Sequence, residues 1–263
     1  MIALELPEGV GRLVLADPEL PAIGSPRPYV HPLRTPDGRV VSDFRPADHD
    51  WHWGLSLAIA NIRIGDDEPE SNLWGGVTWV ADGGYRQLDN NGSQRSEGGD
   101  RFGWFDARGR RFLSERRRHT VRTAGDAVVL TIESDWTAQD AAVRFGSPTT
   151  AGRPGAGYGG LFLRLDPSFS GAQAFGPGGG VAMGESAPWL ALMRGATVAM
   201  WADPGNPVHP SPWFVRTEAT PMLCAAPFFH ETWTLEPGAT ASWRWQVLLA
   251  DSELDPERIE ARW

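Results

Sequence analysis

The chain is predicted to be all-β: a single large β-sandwich over residues 1–263, closed by one short C-terminal helix. Three features predict it. Strand-like stretches recur at spacings of about ten residues, turn signals separate them, and helical periodicity is almost absent before the tail. No composition break suggests a linker and no repeat of fixed period is present, so one domain is expected.

The first strand falls within residues 9–16, around Leu13, Val14 and Leu15. Pro18, Pro21, Pro26 and Pro28 then bar regular structure until Tyr29. Residues 29–34 and 39–42 read as a hairpin, because Pro36, Asp37 and Gly38 supply the fixed φ and the glycine that its turn needs. Residues 44–52 are polar, contain Pro46 and read as a loop. Residues 54–64 alternate Leu55, Leu57 and Ile59 with small partners, as a half-buried strand does. An acidic, proline-containing loop is expected over 65–71, and strands over 73–81 and 85–88, followed by a turn at 89–92.

Residues 102–105, 111–123 and 127–136 flank further hairpin turns. Arg116, Arg117 and Arg118 on such a strand read as a solvated edge that discourages strand addition. Residues 146–160 and 166–180 are glycine-rich loops around a strand at 161–165. Short strands follow at 189–193, 197–201, 213–217, 232–235 and 242–249. Only the tail is helical: Asp255 caps it, Pro256 suits its first position, and residues 257–263 follow.

The net charge of −9 and pI near 5.2 leave no phosphate-neutralising surface, so nucleic acid is excluded as a partner. The longest apolar stretches are too short to cross a bilayer, so no membrane partner is expected. The first residues lack a basic region followed by an apolar run, which points to the cytoplasm. Cys224 is the sole cysteine, which excludes an intramolecular disulfide and agrees with a reducing compartment. All 24 basic residues are arginine, so Schiff-base, Walker-A and kinase lysine mechanisms are excluded. Arginine instead presents a planar fork to hydroxyls and carboxylates.

Gly155, Gly157 and Gly160 fit the dinucleotide-binding glycine pattern, but a loop precedes them and a strand follows, where the motif needs a strand and then a helix. They are expected to allow tight turns and close approach beside a pocket. No Gly-x-Ser-x-Gly elbow is present, and Cys224 sits in an apolar stretch with no base nearby in sequence.

The densest cluster of titratable groups runs from His49 to Gly54, just after the hairpin that carries His31. On a regular strand His49 and His52 would face opposite ways; a loop would let them converge, with His31 joining across the hairpin. Such a set suits acid–base work near neutrality, or, with a nearby aspartate, a metal. Of the 13 tryptophans, Trp51, Trp53 and Trp74 stand beside polar residues and glycines, as flat walls for a sugar ring would.

The motifs around Arg27 to Pro32, Thr35 to Gly38, Pro46 to Gly54, Asn72 to Gly76, Gly157 to Arg164 and Ala187 to Ala191 resemble, in this order, those of the PmoA-like bacterial family, over about residues 25–250. The family carries the label "methane oxygenase". The resemblance implies a β-sandwich similar to the galactose-mutarotase supersandwich and an association with sugar oxidoreductases.

The leading reading is a carbohydrate-acting enzyme, a mutarotase-like epimerase or lyase, acting on a small-molecule sugar or oxidised sugar. His49 and His52 are the expected acid–base pair, with His31 assisting and Asp48 orienting an imidazole. Arg27, Arg34 and Arg164 are expected to bind hydroxyls or a carboxylate, with Asn72 beside them and Trp74 and Tyr158 as walls. Glu97 or Glu185 is an alternative base. This reading assigns no cofactor and no metal. A non-catalytic sugar-binding or partner protein, and a metal-dependent enzyme using His31, His49 and His52, are the alternatives.

Overall fold

The structure is a computed structural model that describes residues 1–67 and 69–263. Glu68, inside the acidic loop expected over 65–71, lies outside the described residues. Two eight-stranded antiparallel sheets form the sandwich. The first runs Ile2–Glu5, Gly11–Ala16, Tyr29–Leu33, Leu55–Ile59, Gly159–Arg164, Met222–Ala225, Ser211–Arg216 and Ser186–Ala187. The second runs Gln173–Phe175, Trp189–Met193, Thr197–Ala202, Thr240–Ala250, Ala127–Ala138, Arg111–Ala124, Arg101–Phe105 and Ser93–Gly98. Leu57, Leu161, Leu163 and Leu223 of the first sheet share one core with Leu130, Ile132, Met200 and Val247 of the second.

Side chains alternate along a strand, so the first sheet also has an outer face. That face is apolar too: Ala58, Phe162, Phe214, Met222 and Cys224 pack there beneath Trp74. The register sets side chains on it in rows. Phe162 lies opposite Ser56 and Cys224, and Cys224 opposite Phe214; Arg164 lies opposite Met222, and Met222 opposite Arg216. A sheet buried on both faces needs cover on each, and here loops supply the outer cover. On the second sheet the C-terminal helix, Pro256–Glu260, does so by docking Ile259 beside Trp189 and Leu248. The Asp255 carboxylate accepts from the Arg258 N–H, as the expected cap should.

Several local expectations are corrected. Residues 39–42 form only isolated bridges, Arg34 to Val40 and Ser42 to Leu165. The strand over 54–64 breaks at Ala60, and its halves, Leu55–Ile59 and Asn61–Ile64, enter different sheets. The strand over 73–81 shrinks to Thr78–Val80, because residues 72–76 coil around the Asn72 side chain. Six strands carried too weak a pattern to be expected: Ile2–Glu5, Ser93–Gly98, Val143–Gly146, Gln173–Phe175, Ser186–Ala187 and Met222–Ala225.

The arginine run is not a solvated edge. Its strand is paired on both sides; Arg116 and Arg118 face outward to Asp100, while Arg117 points into the sandwich. There Arg117 donates to Glu115 at 2.6 and 2.7 Å and to Gln94 at 2.7 Å. Gln94 in turn donates to the Leu57 carbonyl of the opposite sheet at 2.9 Å, so a polar strut crosses the core. Trp104 and Ser134 complete the shell around Glu115. Removing one partner strands a buried charge. Glu115→Ala is therefore expected to destabilise the protein by about 3–5 kcal/mol in urea unfolding; a loss within the range of ordinary surface substitutions would contradict the strut.

Candidate functional site

The histidine stretch is a hairpin laid on the outer face of the first sheet. At its base Phe44 bridges Trp53, and Asp43 and Gly54 exchange backbone bonds with each other and with Arg164. At its tip two turns follow one another: the His49 N–H bonds the Pro46 carbonyl, and the His52 N–H bonds the His49 carbonyl. Arg45 closes the tip with a bidentate contact to Asp50 at 2.6 and 3.0 Å. The second turn turns two residues that a strand would separate onto one side. The His49 and His52 rings stack at 4.5 Å with 17° between their planes.

Two further segments hold the hairpin. Trp51 rests on Gly76, where a Cβ would meet its indole at 2.5 Å, so only glycine fits beneath the ring. Asn72 is fully buried and organises the facing loop: its Oδ1 accepts from the Trp74 and Gly75 N–H groups, and its Nδ2 donates to Thr78 and Gly76. This sets Trp74 edge-on to His52 at 5.5 Å and against Tyr158 at 4.5 Å.

Between these segments lies a pocket of about 300 Å³. Phe214 and Met222 rise into it from the sheet; His49, Trp51 and His52 line it from the hairpin, and Trp74, Val77, Tyr85, Arg153 and Tyr158 from the loops. Arg216, at the end of its strand, completes the lining. Tyr158 and Tyr85 share a hydroxyl hydrogen bond of 3.0 Å, and Arg153 donates to Tyr85.

The electrostatics distinguish the two histidines. His49 Nδ1 bonds Asp48 Oδ2 at 2.8 Å, and Asp48 also accepts from buried Arg164 at 3.2 and 3.3 Å. Burial acts to raise the Asp48 carboxyl pKa, but the His49 bond and the Arg164 charge outweigh it and hold the group below its usual range. A carboxylate held ionised fixes its imidazole in one orientation and leaves Nε2 as the nitrogen available to a ligand. His52 is different. Burial first, and the neighbouring cationic groups after it, hold its pKa well below the ordinary 6.5, and its Nδ1 has no hydrogen-bond partner. The His52 ring packs on Phe162 at 4.8 Å, so the two histidines of the expected pair stand in different surroundings.

The other expected site residues separate into those at the pocket and those elsewhere. Trp74 and Tyr158 line it, and Asn72 and Arg164 stand behind it as supports. His31 stays at the hairpin base, bonded through Nδ1 to Ser42 at 2.9 Å and stacked on Phe44, because the strand directs it there. Arg27 is spent on the protein: its nitrogens bond Ser56, the Gly24 and Ser25 carbonyls and the Trp51 carbonyl, and it lies over Trp53 at 4.6 Å. Arg34 sits in the bridge to Val40, outside the lining, and Trp53 is sealed in a separate apolar cluster. Glu97 pairs with Arg111, and Glu185 accepts from the Ala182 N–H; neither reaches the pocket.

A three-histidine metal centre has no geometric basis, since two rings stack face to face and the third is apart. Among the described residues no group of three His, Cys, Asp or Glu is arranged to hold a metal ion. The glycines of residues 155–160 serve packing: a Cβ at Gly157 would strike the Phe229 ring at 2.1 Å, and one at Gly160 the Ala225 carbonyl at 2.1 Å.

Sequence reading missed Arg216, Arg153, Tyr85, Phe214 and Met222. One signal was present: Trp213, Phe214 and Val215 are consecutive apolar residues in a strand, the mark of burial on both faces and hence of a covered outer surface.

The lowered pKa of His52 has a consequence for stability. As pH falls through 6.5 the unfolded chain takes up a proton there that the folded protein does not, so stability declines with acidification below that value. The slope that one such histidine adds is at most about 1.4 kcal/mol per pH unit. His52→Gln is expected to flatten the pH dependence measured by urea unfolding; an unchanged slope would show that His52 is solvated.

Comparison with known proteins gives a family but no activity. No curated protein matches the chain. Among solved structures, a glycoside hydrolase family 97 enzyme from Pseudoalteromonas sp. strain K8, in complex with acarbose, aligns at 9% identity with a TM-score of 0.42, covering 95% of this chain and 36% of that one. A polysaccharide lyase aligns at 12% identity with a TM-score of 0.36, over 95% and 34%. The α-galactosidase from Lactobacillus brevis gives 12% and 0.33, over 81% and 27%. The chain thus spans about a third of the length of the first two. All three are carbohydrate-active enzymes, but at these scores the likeness carries no inference about activity, and function rests on the site. No helix among the described residues is long and apolar enough to cross a membrane. The expected PmoA-like membership is overturned, and with it the methane oxygenase label, because the model that matches residues 8–263 describes a different group. By that match the chain belongs to DUF6807, a family of unknown function.

Proposed function

We propose that the protein is a carbohydrate-acting enzyme that moves protons at a sugar ring, by mutarotase-like isomerisation or by elimination, with His49 as the base. The observation that carries this reading is the Arg164, Asp48 and His49 series, which ends at a pocket walled by indole and phenol rings. Aromatic faces offer a sugar apolar area at little entropic cost, while an imidazole backed by a carboxylate is equipped to accept a proton.

For ring opening the steps balance as follows. His49 Nε2 takes the proton of the anomeric hydroxyl, and the electrons released form the carbonyl. The bond from the anomeric carbon to the ring oxygen breaks, and that oxygen takes a proton from the Tyr158 hydroxyl. Closure on the other face returns both protons. Burial raises the Tyr158 pKa well above its ordinary value, so the hydroxyl keeps its proton until a stronger base, such as an alkoxide-like ring oxygen, draws it away. Tyr85 and Arg153 are bonded in sequence to Tyr158 and spread the charge left on it.

The test is turnover and binding on a panel of monosaccharides and sugar acids, followed by anomer exchange and by absorbance of unsaturated products. His49→Gln is expected to lower kcat by about 10²- to 10⁴-fold while binding persists. Full turnover in that variant would remove His49 as base. Tight binding with no turnover of any sugar by the native protein would make it a sugar-binding module instead.

A further inference from the structure

The pocket lining contains arginine but no carboxylate. This is unusual against the rest of the molecule, which has 33 acidic residues to 24 arginines. Arginines elsewhere on the surface mostly meet an acid: Arg45 bonds Asp50, Arg111 bonds Glu97 and Arg116 bonds Asp100. The two in the lining do not. Arg216 is exposed, with its guanidinium carbon 5.4 Å from the centre of the Phe214 ring, and makes no ion pair among the described residues. Arg153 lies over Tyr85 at 4.8 Å and donates to its hydroxyl, again with no acidic partner. At the hairpin tip Asp48 is already shared between His49 and Arg164, and Asp50 is held by Arg45.

Two cations fixed against aromatic rings, with no internal counter-charge, make a site for an anion. A guanidinium fork matches a carboxylate in two parallel hydrogen bonds. A second feature agrees. Arg164, Met222 and Arg216 form one cross-strand row, so Arg216 stands two strands, or roughly 9–10 Å, from Arg164. Arg164 supports Asp48 and His49, so this row sets the free cation on the same outer face of the sheet as the histidine.

We infer that the ligand is a sugar acid, a pyranose-sized ring bearing a carboxylate, with Arg216 binding the carboxylate and Arg153 adding to the positive field. This rests on the sugar reading above. Pairing the carboxylate with Arg216 would also acidify the proton on the adjoining carbon, which suits removal by a base on the same ring.

The test uses titration calorimetry with hexuronates, their methyl esters, the neutral hexoses and hexose phosphates. The free acids are expected to bind roughly tenfold or more tighter than their esters, a preference that weakens with added salt. Arg216→Gln, at an exposed position, is expected to fold normally and to remove most of the preference for free acids over esters; a preference unchanged in that variant would overturn the assignment to Arg216. Equal binding of acids, esters and hexoses would overturn the carboxylate assignment and leave the sugar reading intact. Tighter binding of hexose phosphates than of uronates would overturn it in favour of a phosphate. Binding of none of these would overturn both.

Discussion

The site depends on one buried cation that lies outside it. The Arg27 guanidinium is sealed beneath the loops, and burial pulls its pKa down to about 9, so it stays charged at neutral pH. Among the described residues no carboxylate pairs with it. Instead it donates to three backbone carbonyls and one hydroxyl and lies on the Trp53 indole. Hydrogen bonds to a charged group contribute about 1.5–3 kcal/mol each, which offsets the cost of burial only while all of them are made. That condition fixes the geometry. One bond reaches the Trp51 carbonyl in the histidine hairpin; two others reach Gly24 and Ser25. Ser25 then donates to the Asn72 carbonyl at 2.6 Å, and the Ile23 carbonyl accepts from Gly76 at 2.7 Å. A single side chain thereby ties the hairpin and the tryptophan loop to each other and, through Ser56, to the sheet.

The sheet below supplies the other constraint. Because its outer face is apolar, the loops that line the candidate pocket are also the loops that exclude water from Phe162 and Cys224. Pocket geometry and stability are therefore coupled here. His52 illustrates it: burial holds its pKa well below the ordinary 6.5, and its ring supports His49 by stacking.

The sandwich was legible because strand length, turn chemistry and the scarcity of helical periodicity all point the same way. The hairpin was legible as a cluster, though not in its roles. Which of three histidines shares a surface depends on turns that only a folded backbone defines. His31 and His49 differ in placement because one lies on a strand and the other follows a Pro46 turn. Arg27 was expected at the ligand since an arginine among aromatic residues reads the same whether it binds hydroxyls or carbonyls. Arg216 and Arg153 were invisible for the opposite reason: each stands alone in sequence, and only the register of strands and the approach of a distant loop bring it to the pocket. The arginine run misled because period-two alternation sends Arg117 inward between two outward neighbours.

The most direct measurement of the central claim is the tautomer of His49, read from long-range proton–nitrogen correlations at alkaline pH. The account predicts a neutral ring with its proton on Nδ1, held by Asp48, an Nε2 signal that shifts when a sugar is added, and loss of that tautomer in Asp48→Asn. A ring that populates both tautomers, is indifferent to Asp48 and does not respond to any sugar would contradict it.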